Sequence, residues 1–186
     1  MGRALHAGVR AVQLREKDLT TRDLYELAGK LLALTREAGA ALLINDRVDV
    51  AMALSADGVH LTRRSLPAKE TRALLGPEKL IGISCHSLAD VREAEDGNVD
   101  FVVLGPIFET PSKARFGPPL TTSILRQARA TTSLPILAIG GIDCVRIPEV
   151  MAAGADGISV ISAVMAAPNP AAAAAELLAA VAAGCT

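Results

Sequence analysis

Aromatic residues are scarce in this chain: its 186 residues include no tryptophan, one tyrosine and three phenylalanines. Proteins that bind single-stranded nucleic acid stack the bases on aromatic side chains, so this composition argues against such a surface. Small and aliphatic residues dominate instead, and a core of alanine, valine, isoleucine and leucine favours closely layered packing.

An excess of charge of either sign is also lacking. The 19 lysines and arginines nearly balance the 20 aspartates and glutamates, which leaves a formal net charge of −1. Binding to nucleic acid or to an anionic membrane usually requires a basic excess. We therefore expect neither nucleic acid nor a membrane as a partner.

Cysteine is limited to Cys85, Cys144 and Cys185, an odd number of widely spaced residues without a C-x-x-C pair. This pattern predicts neither a disulfide framework nor a zinc site. No apolar run is long enough to cross a bilayer, because two prolines and Glu176 interrupt the alanine-rich tail. With no recognisable signal peptide, we expect a cytoplasmic protein.

The stretch from Leu134 to Ser162 contains two short apolar runs on either side of a helix-like segment. The runs are Ile136–Ile139, followed by Gly140 and Gly141, and Gly157–Ile161, followed by Ser162. Such runs predict parallel strands that are buried on both faces. Backbone N–H groups after each run could bind an anion, as the loops after strands seven and eight of parallel barrels often do. Ordinary strand-to-helix turns, with glycine for geometry, are the alternative.

Strands and helices alternate along the whole chain. The predicted strands are Val9–Leu14, Ala41–Ile44, Gly58–Leu61, Leu80–Ile83, Phe101–Leu104, Ile136–Ile139 and Gly157–Ile161. Helices are expected between them and over Ala171–Ala183, and a long loop spans Gly105–Pro119. This alternation predicts one α/β domain over residues 1–186, with the fold of a (β/α)₈ TIM barrel.

Only seven strands are predicted, and the first of the usual eight is lacking. Either a preceding segment supplies it, or a neighbouring molecule covers the exposed strand edges. We prefer the first interpretation.

Polar residues follow the predicted strands, and in a barrel they would meet at the mouth of the active site. They are Gln13, Arg15, Glu16, Lys17, Asn45, Asp46, Arg47, His60, Ser84, Cys85, His86, Thr110, Ser112 and Lys113. Cations and N–H donors outnumber carboxylates in this set, which suits a phosphate or diphosphate substrate. Asp46 could hold Mg²⁺ together with substrate oxygens and water.

Each group has a simpler explanation as well. The charges from Arg15 to Lys17 could be a solvated run, and Asn45, Asp46 and Arg47 could be a helix cap with a surface salt bridge. His86 could merely open a helix. His60 is expected to be a structural histidine with satisfied hydrogen bonds, and Cys85 a packing residue.

Six motifs, in order along the chain, resemble the family of thiamine phosphate synthases and thiazole tautomerases. They are Gln13-Leu-Arg-Glu-Lys-Asp18, Ile44-Asn-Asp-Arg-Val-Asp49, Gly58-Val-His-Leu61, Gly82-Ile-Ser-Cys-His-Ser87, Leu104-Gly-Pro-Ile-Phe-Glu-Thr-Pro-Ser-Lys113 and Ala138-Ile-Gly-Gly-Ile142. The resemblance implies a transferase that joins hydroxymethylpyrimidine diphosphate to hydroxyethylthiazole phosphate through a pyrimidine cation.

The resemblance also assigns roles to residues. Gln13, Arg15, Lys17 and Asn45 would contact the pyrimidine diphosphate, and Asp46 would hold Mg²⁺. Ser84 and Lys113 would bind the pyrophosphate. The thiazole phosphate would be bound by Thr110, Ser112, Gly141 and the backbone of Ile161 and Ser162.

The chain departs from the family pattern after His60, where Ser65 stands in place of the second magnesium carboxylate. Arg63 and Arg64 could partly replace the charge of the ion. The loss leaves two alternatives open. One is a thiazole phosphate tautomerase with His86 as acid and base, and the other is a non-catalytic paralogue that binds thiazole phosphate or thiamine phosphate.

The sequence leaves the oligomeric state open, and a homo-oligomer is compatible with it. The alanine-rich last helix could pack on the barrel or on a neighbouring subunit.

Overall fold

The computed structural model describes residues 1–110 and 118–184. Within these ranges seven parallel strands form one sheet, and each strand pairs with the next in the chain. The strands are β1 (Ala11–Leu14), β2 (Ala41–Asn45), β3 (Gly58–Leu61), β4 (Leu80–Cys85), β5 (Phe101–Leu104), β6 (Ile136–Ile139) and β7 (Gly157–Ser159). The curled sheet confirms the predicted α/β barrel class, and its seven strands are the seven that the sequence predicts.

Helices connect successive strands and cover one face of the sheet. Within the described residues they are α1 (Gly2–His6), α2 (Thr21–Glu37), α3 (Val48–Leu54), α4 (Ala68–Leu75), α5 (Leu88–Asp96), α6 (Thr121–Arg129), α7 (Ile147–Ala152), α8 (Ser162–Met165) and α9 (Pro170–Gly184). None of these helices is long and apolar enough to cross a membrane. The last helix, α9, packs on α1, α7 and α8 and buries Ala174 and Leu177. It therefore lies on its own barrel, as one of the two predicted alternatives states.

The two outer strands are shorter than the sequence predicts. β1 begins at Ala11 instead of Val9, and β7 ends at Ser159 instead of Ile161. Both lie at edges of the sheet, where a strand has a hydrogen-bonded neighbour on one side only. In contrast β4, which has neighbours on both sides, continues to Cys85, two residues beyond its predicted end.

Side chains that alternate along each strand divide the barrel into two layers. One set, which includes Leu42, Ile44, Val59, Ile81 and Val102, is fully buried under the helices. The other set faces the barrel interior. There the Phe101 ring fills the space next to Gly82, where a Cβ atom would overlap it. Polar residues lie at the end of the barrel where the strands have their carboxyl ends.

Three aspartates fasten the opposite end of the sheet. Asp57, Asp100 and Asp156 each stand immediately before a strand and accept a hydrogen bond from a backbone N–H near the start of the preceding strand. The donors are Leu42 (2.8 Å), Ile81 (2.6 Å) and Ile136 (2.8 Å). Arg72 and Arg129 form ion pairs with Asp100 and Asp156. The three hydrogen bonds to aspartate satisfy backbone N–H groups that the hydrogen bonds between strands leave unpaired.

Candidate active site

Four polar side chains on adjacent strands face the barrel interior near its mouth: Gln13, Asn45, His60 and Ser84. The parallel register pairs Gln13 with Leu43 and Asn45 with His60, and it pairs His60 with Gly82. Paired residues share a face, and so do residues two apart on one strand. We call these four residues the polar ring.

Hydrogen bonds join the polar ring into two pairs. The Gln13 side-chain amide donates to Asn45 Oδ1 over 2.9 Å. His60 Nε2 lies 2.8 Å from Ser84 Oγ. The first bond leaves the Gln13 carbonyl oxygen and the Asn45 NH₂ group for a ligand, so this pair can both accept and donate hydrogen bonds.

His60 is only 3% exposed, and its hydrogen bond to Ser84 confirms that it is a satisfied histidine. Burial lowers the pKa of the imidazole from 6.5 to about 4, and the positive charge of Arg15 contributes in the same direction. The ring is therefore neutral near pH 7, and it supports Ser84 without adding charge.

Asp46 and Arg47 follow β2 but differ in their surroundings. Asp46 is exposed at the mouth with a φ of 65°, a left-handed conformation that aspartate and asparagine tolerate better than most residues. Arg47 instead forms an ion pair with Asp49 at 2.6 Å and donates to Thr21. This pairing raises the pKa of Arg47 and lowers that of Asp49. The simpler explanation, a surface salt bridge, therefore holds for Arg47.

The loop after β3 forms a compact turn around Ser65. The Ser65 hydroxyl accepts from the Thr62 N–H at 2.8 Å and lies 3.1 Å from Thr62 Oγ1. Arg63 extends from this turn, with Nη1 3.4 Å from an oxygen of Asp90. The turn therefore uses the Ser65 hydroxyl internally and presents cationic side chains.

His86 bridges the loops after β4 and β5. Its Nδ1 lies 2.5 Å from the Gly105 carbonyl oxygen, and its backbone N–H donates to Asp90 at 2.8 Å. A carbonyl oxygen can only accept, so Nδ1 of His86 carries a proton. Sequence reasoning missed Asp90, which holds both His86 and Arg63.

Gly140 and Gly141 form the tight loop after β6. Their φ angles are 102° and 63°. A Cβ atom on Gly140 would lie 2.6 Å from the Pro106 side chain, and one on Gly141 would lie 2.5 Å from the Glu109 carbonyl oxygen. Glycine is required here both for the left-handed conformation and for the close approach of the loop after β5.

The remaining predicted residues also follow strands. Arg15 and Lys17 are exposed in the loop after β1, and Thr110 is half-buried after β5. Ile161 is 67% exposed, and Ser162 opens α8 after β7. Ser112 and Lys113 lie outside the described residues. In the ranges 1–110 and 118–184, no group of three histidine, cysteine, aspartate or glutamate residues could hold a metal ion.

Comparison with known proteins identifies the family. Residues 1–164 match the family model described as thiamine monophosphate synthase. The chain belongs to the thiamine monophosphate synthase family. This finding confirms the resemblance based on the six motifs.

Relatives with curated names carry the synthase name. The thiamine-phosphate synthase of Moorella thermoacetica is 48% identical over 174 residues, which are 94% of this chain and 83% of that protein. The thiamine-phosphate synthase of Roseiflexus sp. strain RS-1 is 45% identical over 170 residues, which are 91% of this chain and 72% of that protein. These names favour the synthase hypothesis over the tautomerase and the binding paralogue.

A solved structure supports both the fold and the family. The thiamine phosphate pyrophosphorylase from Pyrococcus furiosus superposes with a TM-score of 0.91 at 37% identity, covering all of this chain and 89% of that one. The 3-hexulose-6-phosphate synthase structure, at 20% identity and a TM-score of 0.66, shows only the shared fold.

Proposed function

We propose that this protein is a thiamine-phosphate synthase, a transferase that joins hydroxymethylpyrimidine diphosphate to hydroxyethylthiazole phosphate. Family membership and the names of the relatives support the reaction class. The observation that carries the proposal is the polar ring, because its two hydrogen-bonded pairs lie on adjacent strands of the barrel interior.

The reaction needs charge stabilisation more than proton transfer. The bond between the pyrimidine methylene and the diphosphate oxygen breaks, and its electron pair leaves with pyrophosphate. The thiazole nitrogen then donates its lone pair to the methylene carbon of the pyrimidine cation. Arg15, Lys17 and Lys113 would neutralise the leaving diphosphate, and preorganised charges of this kind are usually the largest catalytic contribution.

Gln13 and Asn45 would hold the pyrimidine. Their mutual hydrogen bond fixes both amides and leaves one acceptor and one donor group available. A heterocycle with ring nitrogens and an amino group offers the complementary pattern. The pair would therefore orient the pyrimidine before its bond to the diphosphate breaks.

Ser84 would donate its hydroxyl proton to a pyrophosphate oxygen. When it does so, Nε2–H of His60 can donate to Ser84 Oγ and keep the hydroxyl oriented. Because burial keeps His60 neutral, this support is present throughout the neutral pH range. We assign His60 a positioning role.

Magnesium fits the donor set, although the protein contributes few ligands. Mg²⁺ commonly takes one or two carboxylates, with substrate phosphate oxygens and water as the other ligands. The exposed Asp46 carboxylate can serve as the protein ligand, whereas the Ser65 hydroxyl is held within its own turn. The bound ion would supply positive charge to the diphosphate. Arg63 and Arg64, which extend from the same turn, would supply part of that charge from the protein.

The thiazole phosphate would be bound on the other side of the mouth. Gly141 and the backbone of Ile161 and Ser162 would donate N–H groups to the phosphate, as loops at this position of parallel barrels often do. Thr110 and Ser112 would add hydroxyl groups. We further propose a cytoplasmic location.

Two variants separate this proposal from a tautomerase. Asp46→Asn removes the carboxylate charge yet suits the left-handed backbone at this position, and it should reduce synthase turnover at least about a hundredfold. Asp96→Asn, on an exposed residue at the far end of α5, is the matched control and should keep full turnover. His86→Asn should leave synthase turnover measurable. If His86→Asn alone abolished turnover, and the wild type tautomerised a thiazole phosphate, the proposal would be wrong.

A further inference from the structure

Arg146 holds two loops of the barrel mouth together. Its Nη1 donates a 2.5 Å hydrogen bond to the carbonyl oxygen of Gly141, in the loop after β6. The guanidinium carbon lies 4.7 Å from the ring centroid of Phe108, in the loop after β5. A cation above an aromatic face at this distance is an attractive contact.

The backbone of Arg146 is itself fixed. The Asp143 side chain accepts hydrogen bonds from the N–H groups of Val145 (3.1 Å) and Arg146 (3.0 Å), just before α7. Arg146 is the N-terminal flanking residue of that helix. Its side chain therefore starts from a constrained position and reaches back over the glycine loop.

The two loops already touch through their backbones. The N–H of Phe108 donates to the carbonyl oxygen of Gly140 over 3.1 Å. A Cβ atom on Gly141 would lie 2.9 Å from Phe108 Cβ. Arg146 adds a side-chain connection across this contact, between the Gly141 carbonyl and the Phe108 ring.

Fixing the Gly141 carbonyl also fixes the next N–H group. The peptide unit is planar, and in its trans form the C=O and N–H bonds point in opposite directions. The guanidinium on the Gly141 carbonyl therefore sets the direction of the Ile142 N–H. The Gly141 N–H is set in the same way by the Gly140 carbonyl, which accepts from the N–H of Phe108, the residue whose ring Arg146 covers. Without these contacts the backbone at Gly140 and Gly141 could rotate both peptide units, because glycine has few conformational restrictions.

We propose that Arg146 is a positioning residue, which holds the Gly140–Gly141 loop in the conformation that receives the phosphate of the thiazole substrate. The role rests on the proposed function, because the phosphate assignment to this loop belongs to it. Arg146 acts through the Gly141 carbonyl and need not touch the phosphate. Weakening the connection should reduce affinity for the phosphorylated thiazole without a comparable effect on the pyrimidine diphosphate.

The test compares Arg146→Ala and Arg146→Lys with Arg126→Ala, a matched control on an exposed arginine of α6. The full chain is titrated calorimetrically with hydroxyethylthiazole phosphate and, separately, with unphosphorylated hydroxyethylthiazole. Arg146→Ala should weaken binding of the phosphate ester about tenfold and leave that of the alcohol unchanged. Arg146→Lys should recover only part of the loss, because an ammonium group has neither the planar fork nor the stacking surface of a guanidinium.

Three outcomes would overturn the inference. They are unchanged phosphate affinity in Arg146→Ala, an equal loss for the ester and the alcohol, and full recovery in Arg146→Lys, which would indicate a simple charge contact. If Arg146→Ala fails to fold, Phe108→Leu replaces it, since this variant removes the ring and keeps the arginine. Phe108→Leu should lose less affinity for the phosphate ester than is expected of Arg146→Ala. An unchanged affinity would refute the positioning role of Arg146. Binding is measured without turnover, so an inactive wild type would refute the proposed function separately.

Discussion

His60 and Ser84 lie on neighbouring strands, and His60 Nε2 is 2.8 Å from Ser84 Oγ within the barrel. A residue expected to be merely structural thus contacts a residue expected to bind pyrophosphate. The contact links the buried interior of the barrel to its mouth, and we therefore expect a replacement of His60 to change binding of the pyrimidine diphosphate.

Replacing His60 tests this link. His60→Leu removes the bond to Ser84 and should raise the KM for the pyrimidine diphosphate about tenfold. His60→Gln can still reach the hydroxyl and should lose less. Steady-state kinetics with the thiazole substrate saturating would measure both effects. An unchanged KM in His60→Leu would show that the hydrogen bond between His60 and Ser84 does not contribute to binding of the pyrimidine diphosphate.

The lowered pKa of His60 predicts a pH dependence of stability. The folded imidazole titrates at about 4 and the unfolded one near 6.5, so between these values the unfolded chain binds more protons. The free energy of unfolding should therefore fall as the pH drops through this window, by about 2 kcal/mol between pH 7 and pH 5. Urea unfolding of the wild type and His60→Gln would measure it, and the variant should lack this part of the slope. If the free energy of unfolding changed with pH in the same way in both proteins, the prediction of a buried, neutral imidazole would be wrong.

Arg63 should lower the requirement for magnesium. Arg63→Ala removes a cation that we propose to lie beside the diphosphate. It should raise the Mg²⁺ concentration for half-maximal rate about threefold, a modest effect because the side chain is largely exposed. Arg10→Ala, at the amino end of β1, is the control. Calorimetric binding of inorganic pyrophosphate without magnesium provides a second measurement, in which Arg63→Ala should bind more weakly. Equal binding by both variants would exclude Arg63 from the diphosphate site.

Asp156 should matter for stability and not for catalysis. Asp156→Ala leaves the N–H of Ile136 without its acceptor and breaks the ion pair with Arg129. We expect a loss of about 2 kcal/mol in the free energy of unfolding, measured by denaturant titration, with kcat unchanged at a temperature where the chain is folded. Asp96→Ala should change stability by less than about 0.5 kcal/mol. A large fall in kcat for Asp156→Ala would show that the two ends of the barrel are coupled.

The order of the elements could be predicted because local signals agree along the chain. Gly58–Leu61 and Phe101–Leu104 have the predicted bounds, since small or polar residues end each apolar run. The ends of β1 and β7 could not be predicted, because each of these strands pairs on one side only, and an apolar run does not show at which residue that pairing stops.

The site was predictable in position and less so in its contacts. Alternation of strands and helices places the residues that follow each strand at one end of the barrel, and Gln13, Asn45 and Ser84 are there. Which side chains bond to each other depends on register and rotamer. The sequence therefore did not indicate that Arg47 pairs with Asp49, that Asp90 holds His86, or that Arg146 reaches Gly141.

The most direct test of the account is turnover by the purified chain. It is mixed with hydroxymethylpyrimidine diphosphate, hydroxyethylthiazole phosphate and Mg²⁺, and thiamine phosphate is quantified by chromatography alongside reactions that lack one substrate. The account predicts thiamine phosphate and an equal amount of pyrophosphate only when both substrates are present. A folded chain that forms no thiamine phosphate under these conditions would contradict it.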